Sequence, residues 1–221
     1  MKSLSGALDA YTLGSDYAAT AFTIRQILAQ HNHATLVKII SCTADGAVVP
    51  TGFVDVQPLV EMLDGSGKTQ AHGVVRRLKY LRMQGGSNGI ILDPAPGDIG
   101  VAVFADRDTS NVIATGASSP PGSYRQNDFA DGIYLGCVLN AAPTQFIQFN
   151  AGGIALTSPQ KIILNAPVIE INGQMFQTGG AVSMDGPATV QNDLIAAGIS
   201  LQNHVHGGVQ GGPDTTGGPQ G

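Results

Sequence analysis

Apolar positions along the chain follow three successive rhythms. Between about Asp16 and Gln30, Ala18, Phe22, Ile24, Ile27 and Leu28 recur at near-helical spacing. Ser15 or Asp16 can cap the first turn, so a helix is predicted there. From Ala34 to about Val112 the pattern changes to short apolar runs broken by Gly, Asp, Ser and Pro. Thr35–Ser41, Gly52–Val60, Gly73–Tyr80, Gly89–Leu92 and Gly100–Phe104 are the candidate strands. Five or six such strands in about 80 residues, with hairpin-type connections, suit a small barrel of the OB type, with a β-sandwich as the other option.

Beyond Ala142 the rhythm shortens again. Apolar runs at 146–149, 153–156, 161–165, 168–172, 174–177, 182–184, 188–191 and 198–201 follow one another closely. A spacing of about seven to nine residues is a solenoid signature. Several runs are apolar at every second position, which points one face of each strand into a narrow core. One chain has enough of this sequence for only a few coils. Three chains winding together would share a longer core and leave few open strand edges, so a homotrimer is expected.

Charge sharpens the division. Of the 27 Asp, Glu, Lys and Arg side chains, residues 144–221 hold only Lys161, Glu170, Asp185, Asp193 and Asp214. Charged residues make up 12% of the chain, about half the usual share. There are 30 glycines and no tryptophan, a balance that suits β structure. The net charge of −5 offers no footprint for nucleic acid. Lys2 is followed by polar residues rather than an apolar core, so no signal peptide is read and synthesis in a cytoplasm is expected. Cys42 and Cys137 lie in separate apolar runs and are expected to be buried free thiols.

The chemistry worth weighing is at His204-Val205-His206. Residues two apart on a strand point to the same side, so both imidazoles can face one point. Alone, the tripeptide reads more readily as a pair of solvated histidines in a tail. Its position favours a site, because it ends the repeat and precedes a stretch with seven glycines in residues 207–221. On a three-fold axis, two ligands from each of three chains make six nitrogens. That octahedral set suits Fe(II), Ni(II) or Co(II) better than Zn(II), and it leaves no open position for substrate.

Other candidates are weaker. His31 and His33 share the same spacing but fall at the end of the predicted helix, and no metal is assigned to them. His72 shows no partner. Gly65 to Thr69 lacks the first glycine of a phosphate loop, the position being Met62, and reads as a hairpin turn. Arg76, Arg77, Lys79 and Arg82 form the one basic cluster, with Arg77 and Lys79 on one strand face and Arg76 on the other. A barrel surface or a protein interface explains it better than DNA. With Glu61 and Glu170 the only glutamates and no Ser-His-Asp or Cys-His arrangement, no catalytic residue is assigned.

Three segments carry a resemblance. Asp93 to Asp108, with its Pro-x-x-Gly-Asp-x-Gly core, resembles the OB-fold segment of central spike proteins from contractile phage tail baseplates. Ala142 to Ile147 is similar to the start of their β-helix. His204 to Gln210, followed by Thr216 to Gln220, is similar to their apex signature. The resemblance implies an all-β chain in four parts: a helical attachment segment at 1–33, an OB-fold domain at 34–130, an intertwined triple-stranded β-helix needle at 131–200 and an apex at 201–221. It also implies one iron ion per trimer, held by His204 and His206 of each chain. The implied partners are two further copies, the baseplate hub at the end of the tail tube and, transiently, the host outer membrane. The implied place is the virion, at the baseplate tip. The implied task is mechanical: to pierce that membrane when the sheath contracts. Related contractile injection machines use similar proteins, and a trimeric receptor-binding tail fibre or adhesin is the alternative reading.

Overall fold

The computed structural model describes residues 15–28, 31–63, 67–205, 208 and 212. The chain divides into two compact units, Met1–Gln160 and Lys161–Gly221.

In the first unit, helix α1 (Asp16–Leu28) starts on Ser15, whose Oγ accepts from the Ala18 N–H at 3.2 Å. Its large apolar side chains Tyr17, Ile24, Ile27 and Leu28 are exposed. Strands then follow in order: β1 (Ala34–Cys42), β2 (Phe53–Pro58), β3 (Met62–Leu63), β4 (Thr69–Gln70), β5 (Val75–Tyr80), β6 (Gln84–Gly85), β7 (Asn88–Gly89), β8 (Ile99–Phe104) and β9 (Gly132–Cys137). Between β8 and β9 lie a short helix α2 (Ser110–Thr115) and a helical turn at Phe129–Asp131.

Five of these strands close a barrel in the order β1-β2-β5-β9-β8, and β8 pairs back onto β1. Strand number and closure are those of a small OB-type barrel. All neighbours are antiparallel except β5 and β9. Alternation places every second residue inside: Val54 and Val56 from β2, Ala102 and Phe104 from β8. Val37, Ile39, Leu78, Tyr80 and Tyr134 complete the core.

The Pro-x-x-Gly-Asp-x-Gly segment leads into β8, and its geometry explains the residues. Gly97 has φ of 99°, a conformation that a side chain would strain. Asp98 Oδ2 accepts from the Ala95 N–H at 2.8 Å, and its Oδ1 accepts from Asn140 at 2.6 Å, tying the turn to the chain beyond β9. Gly100 leaves no room for a Cβ, which would collide with the Gly136 carbonyl and the Tyr134 hydroxyl.

Several details differ from the sequence expectations. The closing strand β9 lies at 132–137, beyond the 34–130 range read for the barrel. Of the expected run Gly89–Leu92 only Gly89 is in a strand, and with Asn88 it pairs locally with Gln84–Gly85. Both cysteines are free, but Cys137 is exposed rather than buried, because it ends β9 at the barrel's rim. Burial around it still pushes its thiol pKa up.

β10 (Phe146–Asn150) and β11 (Gly153–Thr157) pair antiparallel with each other as a hairpin. Its apolar side chains Ile147, Phe149, Ile154 and Leu156 are exposed.

In the second unit, residues 161–192 belong to no helix or strand, and every one of them is exposed. The apolar positions that alternate in the sequence are present without cover: Val168 is 78% exposed and Phe176 86%. A two-residue hairpin, β12 (Ile195–Ala196) and β13 (Ile199–Ser200), follows. Among the described residues no helix is long and apolar enough to cross a membrane.

Candidate functional site

The hairpin and the turn after it position His204. Ala197 and Gly198, with φ of 50° and 83°, make the tight two-residue turn between β12 and β13. The chain then curls back through a set of local bonds. Leu201 N–H donates to the Leu194 carbonyl at 2.8 Å, and Gln202 N–H donates to Asp193 Oδ1 at 3.0 Å. Asn203 N–H donates to Ser200 Oγ at 2.8 Å, and His204 N–H to the Ser200 carbonyl at 3.1 Å. Hydrogen bonds from Ser200, and then from the Gln202 N–H, hold the Asp193 carboxyl below its ordinary pKa.

The imidazole of His204 is oriented by the same turn. Its Nδ1 lies 3.1 Å from the Ser200 carbonyl and 3.0 Å from that of Leu201. Carbonyl oxygens only accept, so Nδ1 carries the proton and the lone pair is on Nε2. A ring nitrogen bonded to a backbone carbonyl is the usual way a metal-ligating histidine is fixed in tautomer and direction. His206 lies outside the described residues, as does most of the Gly-rich stretch after it. Among the described residues, no group of three or more His, Cys, Asp and Glu is placed to hold a metal ion.

His31 and His33 stack with ring centroids 6.0 Å apart at the start of β1. His72, for which the sequence shows no partner, packs edge-on against Phe129 at 5.0 Å, and its carbonyl accepts from Gln57 Nε2. The Gly65–Thr69 segment leads into strand β4, which pairs with β3, and residues 64–66 lie outside those described.

The basic cluster separates into two parts. Arg82 is buried, and its Nε and Nη2 each donate to Asp93 at 2.8 Å. Tyr80 Oη and the Gly46 N–H also donate to Asp93. Burial pushes the Asp93 carboxyl up, but the bonds from Tyr80, Arg82 and Gly46 outweigh it and hold the pKa below the ordinary value. Arg76, Arg77 and Lys79 stay at the surface of β5. A bulge interrupts β5 opposite Asp55, with Arg77 at φ 61°. Despite the bulge, Arg77 and Lys79 both reach the Phe53 ring, at 4.3 and 3.9 Å from its centroid.

A second ionic network, on the connection between β8 and β9, has no sequence signature. Arg125 forms a two-pronged pair with buried Asp131, both contacts at 2.8 Å, and reaches Asp108 at 3.3 Å. Only a structure could reveal it, since these charges are scattered through a loop that reads as polar.

With this geometry in view, one comparison is informative. Residues 198–220 match the family model described as the GpV Apex motif. The matched segment begins in the β12–β13 turn and contains both His204 and His206. This segment is thus similar to the apex of phage-tail central spikes, and the match supports a spike-tip protein of the tail. The comparison with curated proteins returns no match.

Proposed function

We propose that this protein is the membrane-piercing central spike of a contractile tail baseplate, acting as a homotrimer whose task is structural rather than catalytic. The observation that carries the reading is the uncovered stretch at 161–192, where alternating apolar residues have no cover among the described residues. An apolar surface of this extent marks an interaction face, and extended backbone without a ladder needs strands from elsewhere. Two further copies supply both, giving a triple-stranded β-helix that ends at the apex motif.

At the tip, His204 and His206 of each chain would hold one metal ion, iron by resemblance. The donor set fits: His204 keeps Nδ1 on backbone carbonyls and its lone pair on Nε2. Two imidazoles per chain leave a coordination sphere incomplete until three chains meet. The bound ion would supply a coordinate cross-link between chains. Such a cross-link can contribute on the order of 10 kcal/mol where little apolar area remains to be buried. The barrel and α1 would attach the spike to the hub at the end of the tail tube, and sheath contraction would drive the tip through the host outer membrane.

The test is solution mass by light scattering together with metal content. A trimer with one transition-metal ion per three chains is expected. A monomer, or one ion per chain, would overturn the reading. His204→Ala combined with His206→Ala is expected to remove the metal and lower the unfolding temperature of the tip while leaving that of the barrel unchanged. Metal retained in the double variant would show that the ligands lie elsewhere.

A further inference from the structure

Where β2 and β5 face α2, the first unit holds a cleft of about 400 Å³ that the spike reading does not use. Phe53, Arg76, Arg77, Lys79, Arg125 and Asp131 are among the residues that line it. Two of its four cations are already matched. Arg125 is paired with Asp131 and Asp108, and Arg76 reaches Asp55 at 3.2 Å although its side chain is 74% exposed. Arg77 and Lys79 differ: among the described residues no carboxylate pairs with either side chain. Both lie over the Phe53 ring, and Lys79 Nζ also donates to the Thr51 carbonyl at 2.9 Å. A ring draws a cation to its face, but two cations on one ring repel each other, and the repulsion is stronger in a partly closed cleft than in open water.

The backbone is also committed to this arrangement. Arg77 sits at φ 61°, a left-handed conformation unfavourable for any residue with a side chain. Asp55 holds it there, with Oδ1 accepting from the Arg77 N–H at 2.9 Å and Oδ2 from Arg76 Nη1. The bulge thus brings to one aromatic ring a guanidinium and an ammonium that have no carboxylate partner among the described residues. Anionic groups bound at the two cations would relieve their repulsion.

We propose that this cleft docks an extended acidic segment of a partner protein, with carboxylates on Arg77 and Lys79 and an adjacent apolar side chain against Phe53 and Ile113. The lining decides between anions. Asp131 and the apolar residues Phe53, Ile113 and Ala114 suit isolated carboxylates spaced by apolar side chains, and they disfavour a closely spaced run of phosphates. The proposal uses neither the metal nor the trimer, so it stands or falls separately from the tip.

The experiment is fluorescence anisotropy on the full chain with a labelled hexapeptide alternating glutamate and leucine, and its lysine–leucine counterpart as control. The acidic peptide is expected to bind, more weakly as salt rises, and the basic one not to bind. Arg77→Ala with Lys79→Ala is expected to weaken binding by about tenfold or more. Lys79→Glu, which leaves the bulge untouched, is expected to abolish it even if the double variant folds poorly. Equal affinity for both peptides, or undiminished binding to Lys79→Glu, would overturn the proposal. Tighter binding of a duplex DNA oligonucleotide, or of vesicles rich in phosphatidylserine, would overturn it as well.

Discussion

Arg82 and Asp93 face each other with almost no access to water, their side chains 2% and 5% exposed. A buried pair of this kind adds little over an apolar substitute, but losing one partner strands the other charge. Asp93→Asn is therefore expected to lower the barrel's melting temperature by roughly 10 °C, followed by circular dichroism. Arg82→Met with Asp93→Leu should recover part of that loss. Asp108 makes a different prediction. Hydrogen bonds from Ser110 and Ser123, helped by Arg125, pull its carboxyl down to about 2. An unfolded aspartate titrates near 3.9. The stability this group contributes is thus complete above about pH 4 and is lost as pH falls toward 2. Thermal melts between pH 5 and pH 2.5 should show a decline that Asp108→Asn reduces.

Among the elements, β8 depends most visibly on single residues. Gly100→Ala would push a methyl into the Gly136 carbonyl and the Tyr134 hydroxyl, and a cost of about 1–3 kcal/mol in denaturant unfolding is expected. Strands β1, β2, β5 and β8 were legible in the sequence because each is a short apolar-rich run bounded by turn residues. β9 was harder to assign. It joins the barrel by pairing parallel with β5, across a long connection, and no local turn signal announces such a pairing. Alternation alone also missed the bulge at Arg77, which depends on a carboxylate from β2. At the tip, the His-x-His spacing and the glycines after it were enough to point to the apex. The clamp of His204 Nδ1 on two carbonyls was not readable, since it arises from the curl after β13.

For the whole molecule, the proposed trimer rests on the uncovered apolar residues of 161–192. Ile169→Asp with Ile171→Asp, on one face of the strand, would bury charges in the proposed shared core, so light scattering should report a monomer. The barrel's own melting transition should persist, because its core is drawn entirely from β1, β2, β5, β8 and β9.

The lack of strand pairing within 161–192 also has a kinetic consequence. In the proposed trimer this segment completes its pairing only with other chains, so its folding rate depends on how often they meet. Refolding from denaturant should then proceed in two phases. The barrel should form at a rate independent of protein concentration, and the needle at one that rises steeply with it. At low concentration the second phase competes with aggregation through the same exposed strands. Chains released close together, as from neighbouring ribosomes on one message, would assemble most efficiently.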